Sequence, residues 1–461
     1  MDTPQDRVMS AVLLPHDPDL HGPNLHDPDP TAAELVDARP HLAQHAMDGL
    51  LVEGVPLNLI ADQVGTPTWV LSATAIRTRL AALRHALDAA GLQAHVHYAV
   101  KANDHLAVLN LVRIAGAGAD VVSGGELHRA LLAGILPAHI VFSGVGKADW
   151  ELRLALERGV GQINVESAEE LAMLSALAAT MGRTAAVALR INPDIDAGTH
   201  AKITTGRADN KFGIAHAEAH ALYAHAATLP GIRPVGLALH IGSQILSTAP
   251  YRAAYSRTAA LVRDLRAAGK HIEIVDCGGG LGIGYRNEPA PVPGALAGTI
   301  AEAFRGMDLR IAVEPGRWIV AQAGLLLASV LLQKQTASRR FVVLDAAMND
   351  LIRPAMYDSW HGVVPVNAHA LRSPTTPADL VGPVCETGDT FARDRALPDL
   401  PPRARVAILD AGAYGSVMSS TYNARPLAAE VLVDGDRWSV IRPRQPLEAL
   451  WANEQVPGWL Q

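Results

Sequence analysis

Between residues 95 and 313 the chain repeats one pattern eight times: a short apolar run, a polar or glycine-rich stop, then a longer stretch rich in Ala, Leu, Arg and Glu. The apolar runs are His95–Val100, Ala119–Val122, His139–Phe142, Gly161–Val165, Ala185–Ile191, Pro234–Leu239, His271–Val275 and Arg310–Val313. The intervening segments, such as Glu151–Arg158, Ala168–Met181 and Tyr251–Ala268, have the composition of helices. Strand and helix in strict alternation build a parallel sheet, and eight such units predict a (β/α)8 barrel. A doubly wound sheet is the competing arrangement, because the count does not by itself require closure. In a barrel the C-terminal ends of all strands meet at one mouth, where active sites sit. Here those ends carry Lys101-Ala102-Asn103, Ser123-Gly124-Gly125-Glu126, Ser143-Gly144, Glu166-Ser167, Asn192-Pro193, His240-Ile241-Gly242-Ser243, Gly278-Gly279-Gly280 and Glu314-Pro315-Gly316-Arg317.

The flanks differ from this core. Residues 1–48 include Pro15–Pro30, an imperfect His-Asp-Pro repeat that suits neither helix nor sheet. They read as a flexible His/Pro/Asp-rich tail; a metal-binding tract using His16, His21 and His26 is a weaker compositional alternative. Residues 49–67 read as a segment that pairs with a β domain, and 68–317 as the barrel. Residues 318–461 form a mainly-β domain with runs at Leu325–Leu332, Arg340–Leu344, Arg405–Leu409, Ala429–Val433 and Arg437–Ile441. Proline-rich Arg372–Pro402 reads as a surface excursion from it.

Composition excludes several classes. The 461 residues carry a formal net charge of −7 without basic blocks, which argues against nucleic-acid binding. Two cysteines, Cys277 and Cys385, do not make a disulfide scaffold, and no apolar stretch is long enough to predict a membrane span. The N-terminus lacks signal-peptide character, so the expected location is cytoplasmic. Of 39 cationic residues only six are lysines: Lys101, Lys147, Lys202, Lys211, Lys270 and Lys334.

Lysine scarcity gives Lys101 weight. An ammonium at the end of a buried strand is desolvated, which lowers its pKa and suits imine chemistry. Consecutive glycines at 278–280 let backbone N–H groups approach an anion, although an ordinary strand-to-helix turn has the same composition. His240 alone is more often a packed residue than a catalyst, and Glu314 with Arg317 suits a structural ion pair equally well. Cys277 reads as a small packing residue.

The motifs together are more specific. Tyr98–Asn103 (YAVKAN), Asp120–Leu127 (DVVSGGEL), Arg190–Ile214, His240–Gln244 (HIGSQ), Gly278–Gly282 (GGGLG), Glu314–Arg317 (EPGR), Arg353–Tyr357 (RPAMY), Cys385–Asp389 (CETGD) and Gly412–Tyr414 (GAY) occur in this order. The chain from about residue 50 onward resembles the fold-type III, pyridoxal-phosphate-dependent amino-acid decarboxylases, most closely their diaminopimelate-specific branch. The resemblance implies a pyridoxal 5'-phosphate-binding barrel of the alanine-racemase type with a C-terminal β domain. It implies decarboxylation of meso-2,6-diaminopimelate to L-lysine and CO2, the last step of lysine biosynthesis by that route. Related enzymes acting on arginine, ornithine or carboxynorspermidine are the alternative.

By the same resemblance, Lys101 holds the cofactor as an internal aldimine and His240 stacks on its ring. Ser243, Gly278, Gly279 and Gly280 surround the phosphate, and Tyr414 completes that site. Glu314, within the stretch that includes Pro315 and Gly316, faces the pyridine nitrogen; racemases of this fold type have arginine there. Arg317, Arg353, Tyr357 and Tyr414 contact substrate, Glu386 takes the distal amine, and Cys385 donates a proton to the reacting carbon. The Cys385 loop is expected to complete the site of the partner subunit, which implies a homodimer. No resident metal is implied.

Overall fold

The computed structural model describes residues 29–198, 205–206 and 210–460. Eight parallel strands are β1 (Ala94–Ala99), β2 (Gly118–Val121), β3 (Ile140–Phe142), β4 (Gln162–Val165), β5 (Ala185–Asn192), β6 (Ile232–Ala238), β7 (Ile274–Asp276) and β8 (Arg310–Val313). Each pairs with the next, and β8 pairs with β1, so the sheet closes. Closure excludes the doubly wound alternative. The helices outside it bury one apolar face each; Leu171, Leu174 and Ala178 of Ala168–Met181 are examples. Local sequence starts them cleanly: Ser123 and Ser167 cap Gly124–Leu132 and Ala168–Met181 by accepting from the N–H groups of Glu126 and Glu170.

Barrel interiors are usually filled by branched apolar side chains. This one is polar along its axis: Asp120, Gln162, Asn164, Asp276 and Glu314 are all buried. Small residues make the space. A Cβ on Gly118 or Gly236 would lie within 2.0 Å of a neighbouring carbonyl oxygen.

The second body is a β domain whose long strand Gly324–Gln335 pairs antiparallel with Arg340–Leu344, Arg405–Ile408 and Thr68–Ser72. Thr68–Ser72 also pairs in parallel with Ala429–Asp434, placing it inside this sheet. The barrel therefore begins with the helix Ala73–Ala89, and the expected start at residue 68 is corrected. Trp69 and Leu71 share one face of the strand and are buried in the cores of the β domain and the barrel respectively, while Val70 on the other face joins a third core.

Three further expectations change. The tail reading of 1–48 fails for 29–48, and residues 1–28, with His16, His21 and His26, lie outside the described residues. The helix Ala32–Asp37 has a capping box in which Thr31 and Glu34 bond reciprocally. Leu35 and Val36 of that helix are buried, and Arg39 forms a buried ion pair with Asp410. Residues 49–67 do not add a strand to the β-domain sheet. Gly49–Val52 pairs with Leu42–His45 and Val55–Pro56 in a small separate sheet, whose Leu50 and Val52 pack with Val70, Leu327 and Val431. Finally, Arg372–Pro402 is not an excursion. It contains Thr376–Val381 and Thr390–Leu397, antiparallel partners with Leu380 and Phe391 buried. Pro377 is tolerated because the parallel pairing with Arg340–Leu344 starts only at Asp379.

Candidate active site

The C-terminal ends of the barrel strands converge on a cavity of about 310 Å³ lined by Lys101, Ser143, Asn164, Arg190, His240 and Glu314, among others. A larger cavity, about 540 Å³, opens at the opposite end of the barrel between His95, His97, His139 and Arg310, away from Lys101. Of the residues singled out from the sequence, Lys101, His240 and Glu314 line the smaller one.

Lys101 follows β1 in a single 3-10 turn, Val100–Ala102. Its Nζ donates to Asp120 Oδ2 at 2.8 Å, with a third of the lysine side chain exposed and Asp120 fully buried. Burial works to lower the lysine pKa, but the charge of Asp120, then Glu314 and Tyr414, outweighs it and holds the ammonium above its usual range. The expected lowering is thus corrected for the cofactor-free protein. Asp120 lay inside a quoted motif but received no role; its position at the end of β2, next to the strand of Lys101, was the available signal.

His240 lies two residues past β6, and its Nδ1 accepts from the Gly279 N–H at 3.2 Å. Burial, then the cations Arg190 and Lys101, push its pKa well below the ordinary value. The ring is therefore neutral, with its proton on Nε2. Gly278 donates its N–H to Asp276 Oδ1 at 3.1 Å, so two of the three glycine N–H groups are already engaged within the chain. Their lack of side chains matters as much: a Cβ on Gly279 would lie 2.1 Å from the Glu314 carbonyl oxygen, and one on Gly280 2.4 Å from that of Gly242. Gly316 packs against Ala99 and Ala102, and Pro315 accepts from the Ala99 N–H at 3.1 Å, fixing the turn after β8 against that of Lys101.

Glu314 is buried and accepts from Ser143 Oγ and Asn164 Nδ2, each at 3.3 Å. Burial, then the charges of Asp120 and Asp276, push its pKa well above the usual carboxyl range.

Arg317 joins two parts of the site. One guanidinium nitrogen donates to Ser243 Oγ at 3.1 Å, the other to the Tyr285 hydroxyl at 2.8 Å, and the group lies 4.8 Å from the Tyr414 ring centre. Tyr414 is at φ 55°, tied to Ala102 by its N–H at 2.8 Å. Arg353, with Tyr357 at the other end of the helix Arg353–Tyr357, is buried 5.1 Å from the Tyr285 ring. It bonds His361 Nε2 at 3.1 Å, and His361 Nδ1 donates to the Leu409 carbonyl at 2.8 Å. Tyr285 and His361, which bridge and orient the two arginines, were missed by sequence reading; neither belongs to a quoted motif.

Cys385 and Glu386 stand apart. Cys385 is exposed, and Glu386 accepts from the Tyr422 hydroxyl and donates its N–H to the Val384 carbonyl. These contacts stay within the β domain. Lys147 is buried on Glu170 and two backbone carbonyls. Lys202 lies outside the described residues. Cys277 is buried, as a packing residue should be.

The site fits a pyridoxal group. Among the described residues, Asp120 Oδ1 and Arg317 Nε are buried polar atoms without a hydrogen-bond partner; Asp120 lies on β2 and Arg317 follows β8, the two strands that flank the strand of Lys101. The glycine turn forms a floor that any Cβ would fill.

Residues 73–321 match the pyridoxal binding domain of the pyridoxal-dependent decarboxylases. The chain is 48% identical over 414 residues to diaminopimelate decarboxylase of Zymomonas mobilis, covering 89% of this chain and 98% of the relative. It is 48% identical over 407 residues to the Pseudomonas aeruginosa enzyme, covering 88% and 97%. The Helicobacter pylori diaminopimelate decarboxylase in complex with L-lysine superposes with a TM-score of 0.83 at 40% identity, covering 86% of this chain and 98% of that one. Among the described residues no helix is long and apolar enough to cross a membrane. Matching these proteins over nearly their whole length, barrel and β domain together, the chain belongs to the diaminopimelate decarboxylases of the pyridoxal-dependent decarboxylase family.

Proposed function

We propose that this chain removes CO2 from meso-2,6-diaminopimelate to give L-lysine, with pyridoxal 5'-phosphate as cofactor, in the cytoplasm. The observation that carries the reading is the convergence of Lys101, His240 and Glu314 on one cavity beside two buried guanidinium groups, Arg317 and Arg353, that flank Tyr285. When bound, the cofactor supplies a conjugated ring that takes up the electron pair left as CO2 departs.

The chain's own residues do the rest. Lys101 holds the cofactor through its amine, and Asp120 fixes where that amine points. Glu314 keeps a proton on the pyridine nitrogen, because a carboxylate at that nitrogen favours its protonated form. Neutral His240 covers the ring face without adding a competing charge. Ser243, Gly278, Gly279, Gly280 and Tyr414 surround the phosphate, with Pro315 and Gly316 shaping the turn that carries Glu314. Arg317 and Arg353 present guanidinium forks to the substrate carboxylates, with Tyr357 and Tyr414 beside them. Glu386 takes the distal ammonium, and Cys385 delivers the proton to the reacting carbon. The latter two come from a partner subunit: within one chain Cys385 is exposed and the hydrogen bonds of Glu386 stay in the β domain. The active form is thus a homodimer with shared sites.

The test is CO2 release from meso-diaminopimelate compared with its stereoisomers and with ornithine and arginine. Release from the meso isomer alone supports the reading; equal release from ornithine refutes the role of the second carboxylate. Arg353→Ala should raise KM for diaminopimelate far more than it lowers kcat. Lys101→Ala should lose both visible absorbance and turnover.

A further inference from the structure

The barrel axis holds a pair of acids of which the reading above uses one. Asp276 ends β7, and Glu314 follows β8, the neighbouring strand. The Asp276 side chain is fully buried and Glu314 is 6% exposed. One amide ties them: Asn164 Nδ2 donates to Asp276 Oδ2 and to Glu314 Oε1, both at 3.3 Å. Gln162 Nε2 holds Asn164 Oδ1 at 2.8 Å and reaches Asp276 Oδ2 at 3.4 Å. The Gly278 N–H binds the other Asp276 oxygen.

The shared Asn164 amide holds the two buried carboxyls side by side, and burial pushes both toward their protonated form. The charges around the pair point to one retained proton. Asp120 faces it from β2 and Lys101 from the end of β1, but the lysine spends its bond on Asp120. His97, also on β1, faces Asp276 and holds the His139 carbonyl through Nδ1 at 3.2 Å. Burial drives His97 toward its neutral form. Among the described residues neither Asp276 nor Glu314 has an ion pair with a cation. Three buried carboxyls face one ammonium, and two adjacent acids cannot both ionise without it.

We infer that Asp276 and Glu314 form a dyad that stores one proton in the cofactor-free protein and gives it up when the cofactor enters. The inference rests on the reading that Glu314 faces the ring nitrogen. The Glu314 O–H bond breaks and its proton leaves to water, because the ring nitrogen arrives protonated, so that both carboxylates are ionised beside it. Asp276 is then a positioning residue: it acts through Glu314 and does not touch the cofactor.

Infrared difference spectroscopy of the full chain tests this. The carbonyl stretch of a protonated carboxyl, isolated as the component missing from Glu314→Gln, should be present in the cofactor-free wild type at neutral pH. It should vanish on adding pyridoxal 5'-phosphate. In Asp276→Asn that component should titrate at lower pH than in the wild type. The dyad is overturned if the component is absent at neutral pH, if it survives cofactor binding, or if Asp276→Asn leaves its midpoint in place. Failure of the underlying reading looks different: Glu314→Gln would then leave cofactor affinity and the visible spectrum of the loaded protein unchanged.

Discussion

Replacing Asp120 by Asn should make Lys101 reactive at lower pH. The carboxylate lies 2.8 Å from Nζ and is fully buried, so its charge acts on the ammonium at close range. An opposite charge this near shifts a pKa by about 1–3 units. Water reaches a third of the lysine side chain, which screens the interaction and places the expected fall near the lower end, at about 1 unit. Glu314 and Tyr414 remain to hold the amine partly up. Only the neutral amine attacks an aldehyde, so below the pKa a fall of about 1 unit raises the reactive fraction roughly tenfold. Asn keeps an oxygen acceptor and nearly the same shape, so the fold should survive. The assay is the rate of visible absorbance growth when cofactor-free protein meets pyridoxal 5'-phosphate, followed across pH. The profile of Asp120→Asn should move acidward by about 1 unit, with a roughly tenfold faster rate at neutral pH. An unmoved profile, or one shifted to higher pH, would show that Asp120 does not set the charge of Lys101.

Three further outcomes follow from other contacts. Arg39→Met should destabilise the fold by about 3–5 kcal/mol in chemical denaturation, because Asp410 is left buried without its cation; adding Asp410→Leu should recover much of the loss. Burial pushes Glu126 from its ordinary 4.5 up to about 7. Its folded pKa exceeds its unfolded one, so its contribution is fully present below about 4.5 and is lost as pH rises through about 7. The stability of the wild type relative to Glu126→Gln, measured by urea titration, should fall across that window; a constant difference would contradict the buried placement. Mixing Lys101→Ala with Cys385→Ala should restore turnover that neither variant has alone, since a mixed dimer contains one site with both residues; no recovery after confirmed subunit exchange would place Cys385 in its own chain's site.

Much of the barrel was legible because its signal is local. A buried parallel strand is an apolar run with polar ends, and each of the eight runs overlaps an observed strand, although His271–Val275 contracts to Ile274–Asp276. Capping serines and glycine turns announce themselves over three or four residues. Thr31 and Glu34 carried such a signal too, but proline density nearby drew the tail reading past it. What stayed hidden needs partners far along the chain. Thr68–Ser72 reads like any barrel strand, and only its pairing with Gly324–Gln335 and Ala429–Asp434 assigns it to the other domain. Tyr285, 32 residues before Arg317 in sequence, meets that arginine only in three dimensions.

The sequence by itself determined the alternation, the family, and which lysine stands at a strand end. The tertiary structure decided the electrostatics. Burial alone would leave the Lys101 amine easier to deprotonate; pairing of β2 with β1 sets Asp120 against it, closure of the barrel through β8 brings Glu314 near it, and the balance reverses. The same closure brings Asp276, Asn164 and Glu314 from three strand ends to hydrogen-bonding distance on the axis. Charge state depends on distances in space and on exclusion of water, and neither is a property of residue order.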